Sequence, residues 1–318
     1  MTPPVTDHFN GKTFFNPGQR ANAGLLDVLR WQFNRQLTPW PRWVEITPHA
    51  LPPVPPDGGV AATWVNHSTF LLQTAQGNLL TDPVFSDRIS PVSWAGPRRV
   101  HAPGVTFNSL PRIDAVLLSH DHYDHCDLPS LRRLAHGHQP LFIAPLGHRT
   151  LLAAAGAKRI IELDWWQTYQ PWPDLTVTLT PTQHWSRRSI GGTNRRLWGG
   201  FYLHTAARRV WFLGDSGYDE ALFREIGRRC GAPDLAIIPI GAYEPRWFMQ
   251  PAHMNPEEAV RAHQDSGSRQ SVAMHWGAFQ LTDEGREDPV KALEQARIAA
   301  GLTEGNFRIL APGESIVV

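Results

Sequence analysis

Nine consecutive residues, 119–127, read SHDHYDHCD and carry an unusual density of side chains that bind metal ions. Imidazole and carboxylate groups are standard ligands of zinc. A single histidine in a soluble protein is usually a surface residue or a satisfied core residue. Here His120, His122, Asp124 and His125 are packed into one short stretch. The spacing therefore predicts a metal-binding loop.

The preceding residues, 115–118, form a short apolar run that predicts a buried strand. The metal-binding residues then lie on the turn that leaves this strand and enters a helix. Because side chains of an extended segment alternate between two sides, His120 and His122 should point the same way. Asp124 and His125 lie where the chain turns and can face a second point nearby. One loop can thus offer ligands to two metal ions.

Three further candidates follow other predicted strands, at 175–180, 209–213 and 271–274. They are His184, Asp215 and His275. A ligand at the end of a strand is held rigidly and faces the sheet edge where loops converge. Spacing alone indicates only that all of these side chains leave strand ends. His67, on a turn between two predicted strands, could also be a ligand, but by itself a structural or supporting role is favoured.

The His-x-His-x-Asp-His pattern resembles that of the metallo-β-lactamase superfamily of hydrolases, in which this turn holds two metal ions. The resemblance implies one ion bound by His120, His122, His184 and Asp215. It implies a second ion bound by Asp124, His125, Asp215 and His275, with Asp215 as the bridging carboxylate. Zinc is the expected metal, although manganese or iron would accept the same nitrogen and oxygen ligands.

Four downstream segments resemble the N-acylphosphatidylethanolamine-hydrolysing phospholipase D branch of that superfamily. They are residues 214–218, 240–249, 253–260 and 275–279. The resemblance implies a phosphodiesterase that acts on a lipid-like or otherwise hydrophobic phosphodiester through a metal-bridging hydroxide. It also implies an active-site role for His253, which would otherwise be read as a packing residue before a helix. Asp124 is the other candidate for proton transfer.

Other functions on the same scaffold stay open. The main alternative is a lactonase, or another ester or phosphodiester hydrolase, acting on a small soluble substrate. A non-catalytic metal-binding protein would lack a ligand, yet every ligand position is filled. The formal net charge is only +1, so nothing indicates a nucleic-acid partner.

The chain has 318 residues, of which 42% are hydrophobic and 19% charged, as in ordinary globular proteins. Residues 1–59 are expected to form an N-terminal extension with an amphipathic helix and a proline-rich linker. Residues 60–318 are expected to form the catalytic domain. Strands that alternate with helices predict an α/β protein, an αββα sandwich of two mixed sheets with helices on the outer faces.

The two cysteines, Cys126 and Cys230, suit a reducing compartment. Residues 1–20 do not resemble a secretory signal, and no apolar run is long enough for a transmembrane helix. The expected location is cytoplasmic. The amphipathic helix at 25–37 either packs on the main body, which is favoured, or lies on a membrane. A second copy of the chain stays open as a partner.

Two features near the predicted site have more than one reading. Arg187, Arg188, Arg195 and Arg196 lie on a loop after His184, where they could bind a phosphate or be solvated. Aromatic residues around the ligand loops could line an apolar cleft or belong to the core. They are Trp185, Trp198, Tyr243, Trp247, Phe248, Trp276 and Phe279.

Overall fold

Two seven-stranded β-sheets form the centre of the molecule. The computed structural model describes residues 4–18, 24–56 and 58–318. In chain order, the strands of this described part are β1 Ala61–Asn66, β2 Thr69–Thr74, β3 Gly77–Thr81, β4 Ala115–Leu117, β5 Leu141–Pro145, β6 Arg159–Leu163, β7 Thr168–Trp172, β8 Leu175–Thr180, β9 Gly200–Thr205, β10 Arg209–Phe212, β11 Leu235–Pro239, β12 Gln270–Met274, β13 Phe307–Arg308 and β14 Ser315–Val317.

The first sheet has the strand order β14-β1-β2-β3-β4-β5-β6, and the second has β13-β12-β11-β10-β9-β8-β7. Both sheets are mixed. In the first, β14 to β3 pair antiparallel and β3 to β6 pair parallel. In the second, β7 to β10 pair antiparallel and β10 to β13 pair parallel. In each sheet the parallel strands therefore follow one another and leave the sheet at one edge.

The alternating side chains of β4 show how the sheets and helices are layered. Ala115 and Leu117 belong to the core between the two sheets. Val116 and Leu118 point to the opposite side and pack with a separate cluster that includes Leu131. Because alternate side chains of a strand face opposite sides of a sheet, the first sheet is covered on both faces. The predicted αββα sandwich is confirmed.

The helices described lie mainly on the outer faces of this sandwich. They are α1 Leu25–Phe33, α2 Leu128–Gly137, α3 Arg149–Ala154, α4 Glu220–Cys230, α5 Arg246–Met249, α6 Pro256–Asp265 and α7 Asp288–Ala299. Helix α6 begins at a capping box in which Asn255 and Glu258 satisfy each other's main-chain N–H groups. None of the described helices combines the length and apolar character needed to cross a bilayer.

The N-terminal extension lies against the rest of the chain, but not as the hydrophobic pattern of its helix predicts. Helix α1 ends at Phe33 rather than near residue 37. Leu26 is 81% exposed and Phe33 is 86% exposed, so part of the face expected to pack points into solvent. Polar and aromatic groups hold the segment instead. The indole Nε1 of Trp31 and the guanidinium of Arg35 donate hydrogen bonds to the Asp283 carboxylate.

Candidate metal centre

The first group of predicted ligands meets at the strand ends of the sandwich. The Nε2 atom of His120 lies 2.9 Å from Nδ1 of His122, and Nε2 of His184 lies 3.2 Å from that same Nδ1. Two nitrogens bound tetrahedrally to one zinc ion at about 2.0–2.1 Å lie roughly 3.3 Å apart. The three imidazoles are therefore spaced as ligands of one ion.

The second group faces the first. The Nε2 atoms of His125 and His275 lie 3.4 Å and 3.2 Å from Oδ2 of Asp124. Both of these nitrogens also lie 3.1 Å from Oδ2 of Asp215. The four residues predicted as ligands of the second ion thus surround one point.

Asp215 joins the two groups through a single oxygen atom. Besides His125 and His275, its Oδ2 lies 3.9 Å from Nε2 of His120 and 3.8 Å from Nε2 of His184. The side chain is 1% exposed. All seven predicted ligands are therefore brought together, with this oxygen between the two groups.

Hydrogen bonds orient three of the imidazoles toward the centre. Nδ1 of His125 lies 2.7 Å from Oδ2 of Asp82, Nδ1 of His184 lies 3.0 Å from the carbonyl oxygen of Ala252, and Nδ1 of His120 lies 2.9 Å from Oγ of Ser119. Ser119 Oγ in turn donates to Asp82. A histidine that donates from Nδ1 leaves the Nε2 lone pair free for a metal ion.

The donor set fits a pair of cations. Nε2 of His125 is buried without a hydrogen-bond partner among the described residues, and it lies 3.1 Å from the Asp215 oxygen that joins the two groups. Buried polar atoms are seldom left unsatisfied. Burial, reinforced by the neighbouring imidazoles, holds the pKa of His120 well below its ordinary value. Burial works against the ionisation of Asp215, but His125 and His275 outweigh it, and its pKa lies well below the ordinary value.

Two further residues support the centre. Asp82 is fully buried after strand β3 and accepts hydrogen bonds from His125 and from the main chain and hydroxyl of Ser119. His67 places Nε2 3.1 Å from Oδ2 of Asp124. The sequence signals for Asp82 are a carboxylate directly after an apolar strand and the resemblance to related hydrolases, in which this strand ends near the site. For His67 the signal is a histidine on a tight turn.

His253 lies beside the metal-binding residues. Its ring centroid is 5.1 Å from that of His184 and 5.5 Å from that of His275. Its Nδ1 atom is buried and has no hydrogen-bond partner in the part of the chain that the structure describes. Burial lowers the pKa of His253 to about 4. Arg246 holds the loop by donating hydrogen bonds to the His253 carbonyl oxygen and to the Glu258 carboxylate.

The basic loop after His184 divides into two pairs of arginines. Arg188 donates hydrogen bonds to the carbonyl oxygens of Asp121 and Cys126, and Arg196 pairs with the Asp121 carboxylate at 2.8 Å. These two guanidinium groups hold the metal-binding loop. The side chains of Arg187 and Arg195 are exposed.

The aromatic residues also divide. Trp198, Trp276 and Phe279 are buried and belong to cores. Trp185 packs its ring 4.5 Å from that of His122, and Trp247 is 48% exposed. These two remain candidates for a cleft wall.

A cleft of about 620 Å³ lies between helix α1 and the segment around α5. Trp31, Tyr243 and Trp247 line it, together with Asp283 and Glu284. Gly241 precedes this segment and packs directly against the main-chain carbonyl oxygen of His275. A Cβ atom at position 241 would lie only 2.1 Å from that oxygen.

Comparison with known proteins agrees with this geometry. Residues 77–276 match the family model described as a β-lactamase superfamily domain. The chain is 38% identical over 234 residues to an N-acyl-phosphatidylethanolamine-hydrolyzing phospholipase D of Caenorhabditis elegans, covering 71% of this chain and 66% of that relative. The match thus spans just under two thirds of the relative's length.

A second relative is matched over nearly its whole length. It is a metal-dependent hydrolase of Opitutus terrae, 30% identical over 80% of this chain and 99% of its own. Among solved structures, the metallo-hydrolase Igni18 of Ignicoccus hospitalis superposes with a TM-score of 0.63 at 21% identity, covering 82% of this chain and 98% of that one. The chain belongs to the metallo-β-lactamase superfamily of metal-dependent hydrolases.

Proposed function

We propose that this protein is a dinuclear metal-dependent phosphodiesterase of phospholipase D type. Its substrates would be N-acylphosphatidylethanolamine-like or other hydrophobic phosphodiesters. The observation that supports this most is the Asp215 oxygen that lies between the two groups of predicted ligands. The similarity to the Caenorhabditis elegans phospholipase D, as named, supports the substrate class.

The side chains of the centre act mainly by holding charge in fixed positions. Two divalent ions bound there would activate water as a nucleophile near neutral pH and neutralise phosphoryl oxygens. Asp215 and Asp124 compensate that positive charge, and the hydrogen bonds to His120, His125 and His184 fix the directions of the ligand nitrogens. Such preorganisation costs no rearrangement during the reaction.

We infer that His253 contacts the substrate or protonates the leaving oxygen; because its pKa is lowered to about 4, its imidazole is neutral near pH 7 and would have to gain that proton during the reaction. It lies beside both ligand groups without being one of the seven predicted ligands, and its Nδ1 atom makes no hydrogen bond within the described residues. A general acid must reach the leaving group directly or through one water molecule. Asp124 is the less suitable proton carrier because three imidazoles already surround its Oδ2 atom.

The apolar part of the substrate would bind at the mouth of the centre. Trp185 stands over His122, and Trp247 and Trp31 line the neighbouring cleft. The exposed Leu26 and Phe33 of helix α1 would provide apolar contact with a membrane surface. An acyl chain buried there would contribute about 0.8 kcal/mol per methylene removed from water.

A chain-length series at fixed head group tests the substrate class. The rate constant kcat/KM for phosphodiesters, measured in liposomes and in detergent micelles, should rise with acyl length until the cleft is filled. A bis-aryl phosphate should be cleaved slowly, because it offers a phosphodiester but little contact with the walls. A flat series, combined with fast cleavage of a lactone or of RNA, would reject the lipid substrate.

A further inference from the structure

His67 lies in the tight turn between β1 and β2, in direct contact with the second ligand group. Its side chain is 1% exposed. The backbone has φ of 45°, in the left-handed region that residues other than glycine seldom adopt. A buried histidine in this conformation is held by specific contacts, since the left-handed backbone is costly.

Three contacts connect His67 to the second group. Its Nε2 atom lies 3.1 Å from Oδ2 of Asp124. Its ring centroid lies 4.1 Å from that of His275. Its carbonyl oxygen accepts a hydrogen bond from the His275 main-chain N–H at 3.0 Å. One residue therefore touches the carboxylate, the imidazole and the backbone of two predicted ligands.

We propose that His67 is a positioning residue that donates a hydrogen bond from Nε2 to Asp124 and thereby aligns Asp124 and His275 on the second metal ion. This role rests on the two-metal centre of the proposed function. It is independent of which substrate the enzyme hydrolyses.

The arrangement of nitrogens favours a donor rather than an additional ligand. Three Nε2 atoms face Oδ2 of Asp124, those of His67, His125 and His275. His125 and His275 also lie within 3.1 Å of the Asp215 oxygen, where a metal ligand must point. Among the described ion pairs, none joins His67 to Asp215. Of the three Nε2 atoms, that of His67 is therefore the one that can keep its hydrogen and donate it to the Asp124 carboxylate.

Substitution of His67 by glutamine and by alanine distinguishes a hydrogen-bond donor from a metal ligand. His67→Gln retains an N–H donor of similar reach but binds zinc poorly, whereas His67→Ala removes the donor. Metal-free full-length protein would be titrated with zinc against a chromophoric chelator, and cobalt-loaded protein would be examined by visible absorption. His67→Ala should weaken one of two equivalents about 10- to 100-fold and alter the cobalt spectrum. His67→Gln should recover most of that loss.

The matched control is His101→Ala. His101 is also a fully buried histidine, but it donates to its neighbour's carbonyl oxygen and its ring faces Trp64 at 6.4 Å. His101→Ala should lower the melting temperature without weakening either metal equivalent.

Equal loss in His67→Gln and His67→Ala would make His67 a ligand and overturn its role as a donor. Unchanged affinity in both would overturn any role at the centre, and so would an equal loss in His101→Ala. Because no substrate is used, failure of the phosphodiesterase proposal would leave these results standing. A wild type that binds only one equivalent would reject the two-metal centre, and the positioning role with it.

Discussion

The metal centre and the cleft between helix α1 and the segment around α5 are built in different ways. At the centre, Asp215, His120 and His125 are almost completely buried, and hydrogen bonds fix the ring directions of His120 and His125. On helix α1 and the segment around α5, which border the cleft, Phe33 is 86% exposed and Trp247 is 48% exposed. The centre is therefore a buried, charged floor, whereas these two segments, here called the rim, expose aromatic and aliphatic side chains.

This difference separates the reaction from the choice of substrate. Fixed charges at the floor determine which bond can be hydrolysed, because the chemistry depends on groups placed before the substrate arrives. Exposed aromatic and aliphatic groups at the rim contribute mainly binding. Substitutions at the floor should thus lower the rate for every substrate, and those at the rim should change the preference among substrates.

The largest effect is expected for Asp215→Asn. A neutral amide cannot compensate two cations, so both equivalents of metal should bind more weakly. The turnover number should fall by at least about a thousandfold, because several kcal/mol of charge stabilisation are lost. Asp234→Asn is the control, since Asp234 accepts hydrogen bonds from the Arg209 main-chain N–H and the Arg269 guanidinium. Normal metal content and rate in Asp215→Asn would make Asp215 a structural residue.

His253→Ala should lower kcat by about 10²- to 10⁴-fold, the usual contribution of a general acid or base. Metal content and melting temperature should stay close to those of the wild type. Asn255→Ala controls for damage to the start of helix α6, where loss of the cap should cost about 1 kcal/mol of stability. Loss of metal together with rate would identify His253 as a ligand or a folding residue instead.

Asp82→Asn should act through His125. The carboxylate that accepts the Nδ1 hydrogen of His125 orients the ring and strengthens it as a ligand, so its loss should weaken metal binding about 10- to 100-fold. Asp127 is a matched control, because it is also a buried carboxylate that accepts hydrogen bonds, but from Ser86, Phe85 and Ser130. If Asp127→Asn weakens metal binding as much, the effect is general destabilisation.

The smallest effect is expected at the rim. The double substitution Leu26→Ser and Phe33→Ser should lower the rate on vesicle substrates several-fold and leave micellar substrates nearly unchanged, because it removes exposed apolar surface. Ile298→Ser on helix α7 is the control, since Ile298 is 67% exposed on a different helix. Equal losses on vesicles and micelles would indicate damage to the cleft rather than weaker membrane contact.

The same contrast explains what could be predicted from the sequence. The sandwich and the positions of the seven candidate ligands followed from apolar strands that end in histidine or aspartate, a local pattern. The roles of those seven residues as ligands stay predictions. His67 and Asp82 were harder to recognise, because their contacts with Asp124 and His125 depend on strand pairing rather than spacing.

The rim could not be predicted in the same way. Helix α1 was recognised by its apolar period, but that period does not say which face packs. Trp31 and Arg35 hold the helix through hydrogen bonds to Asp283, far along the chain.

Strand β7 and helix α5 were missed because their sequences, TYQPW and RWFM, are short and have no clear period. Arg188 was expected either to bind a phosphate or to be solvated, but its guanidinium hydrogen-bonds the main chain of the 119–127 loop.

Metal stoichiometry tests the central claim most directly. Protein purified without chelator, or metal-free protein reconstituted with zinc, should contain two equivalents per chain by elemental analysis, because the ligands form two groups around the Asp215 oxygen. The second equivalent should be required for cleavage of a long-chain phosphodiester. A single tightly bound equivalent, unchanged by added zinc and sufficient for full activity, would contradict the dinuclear centre.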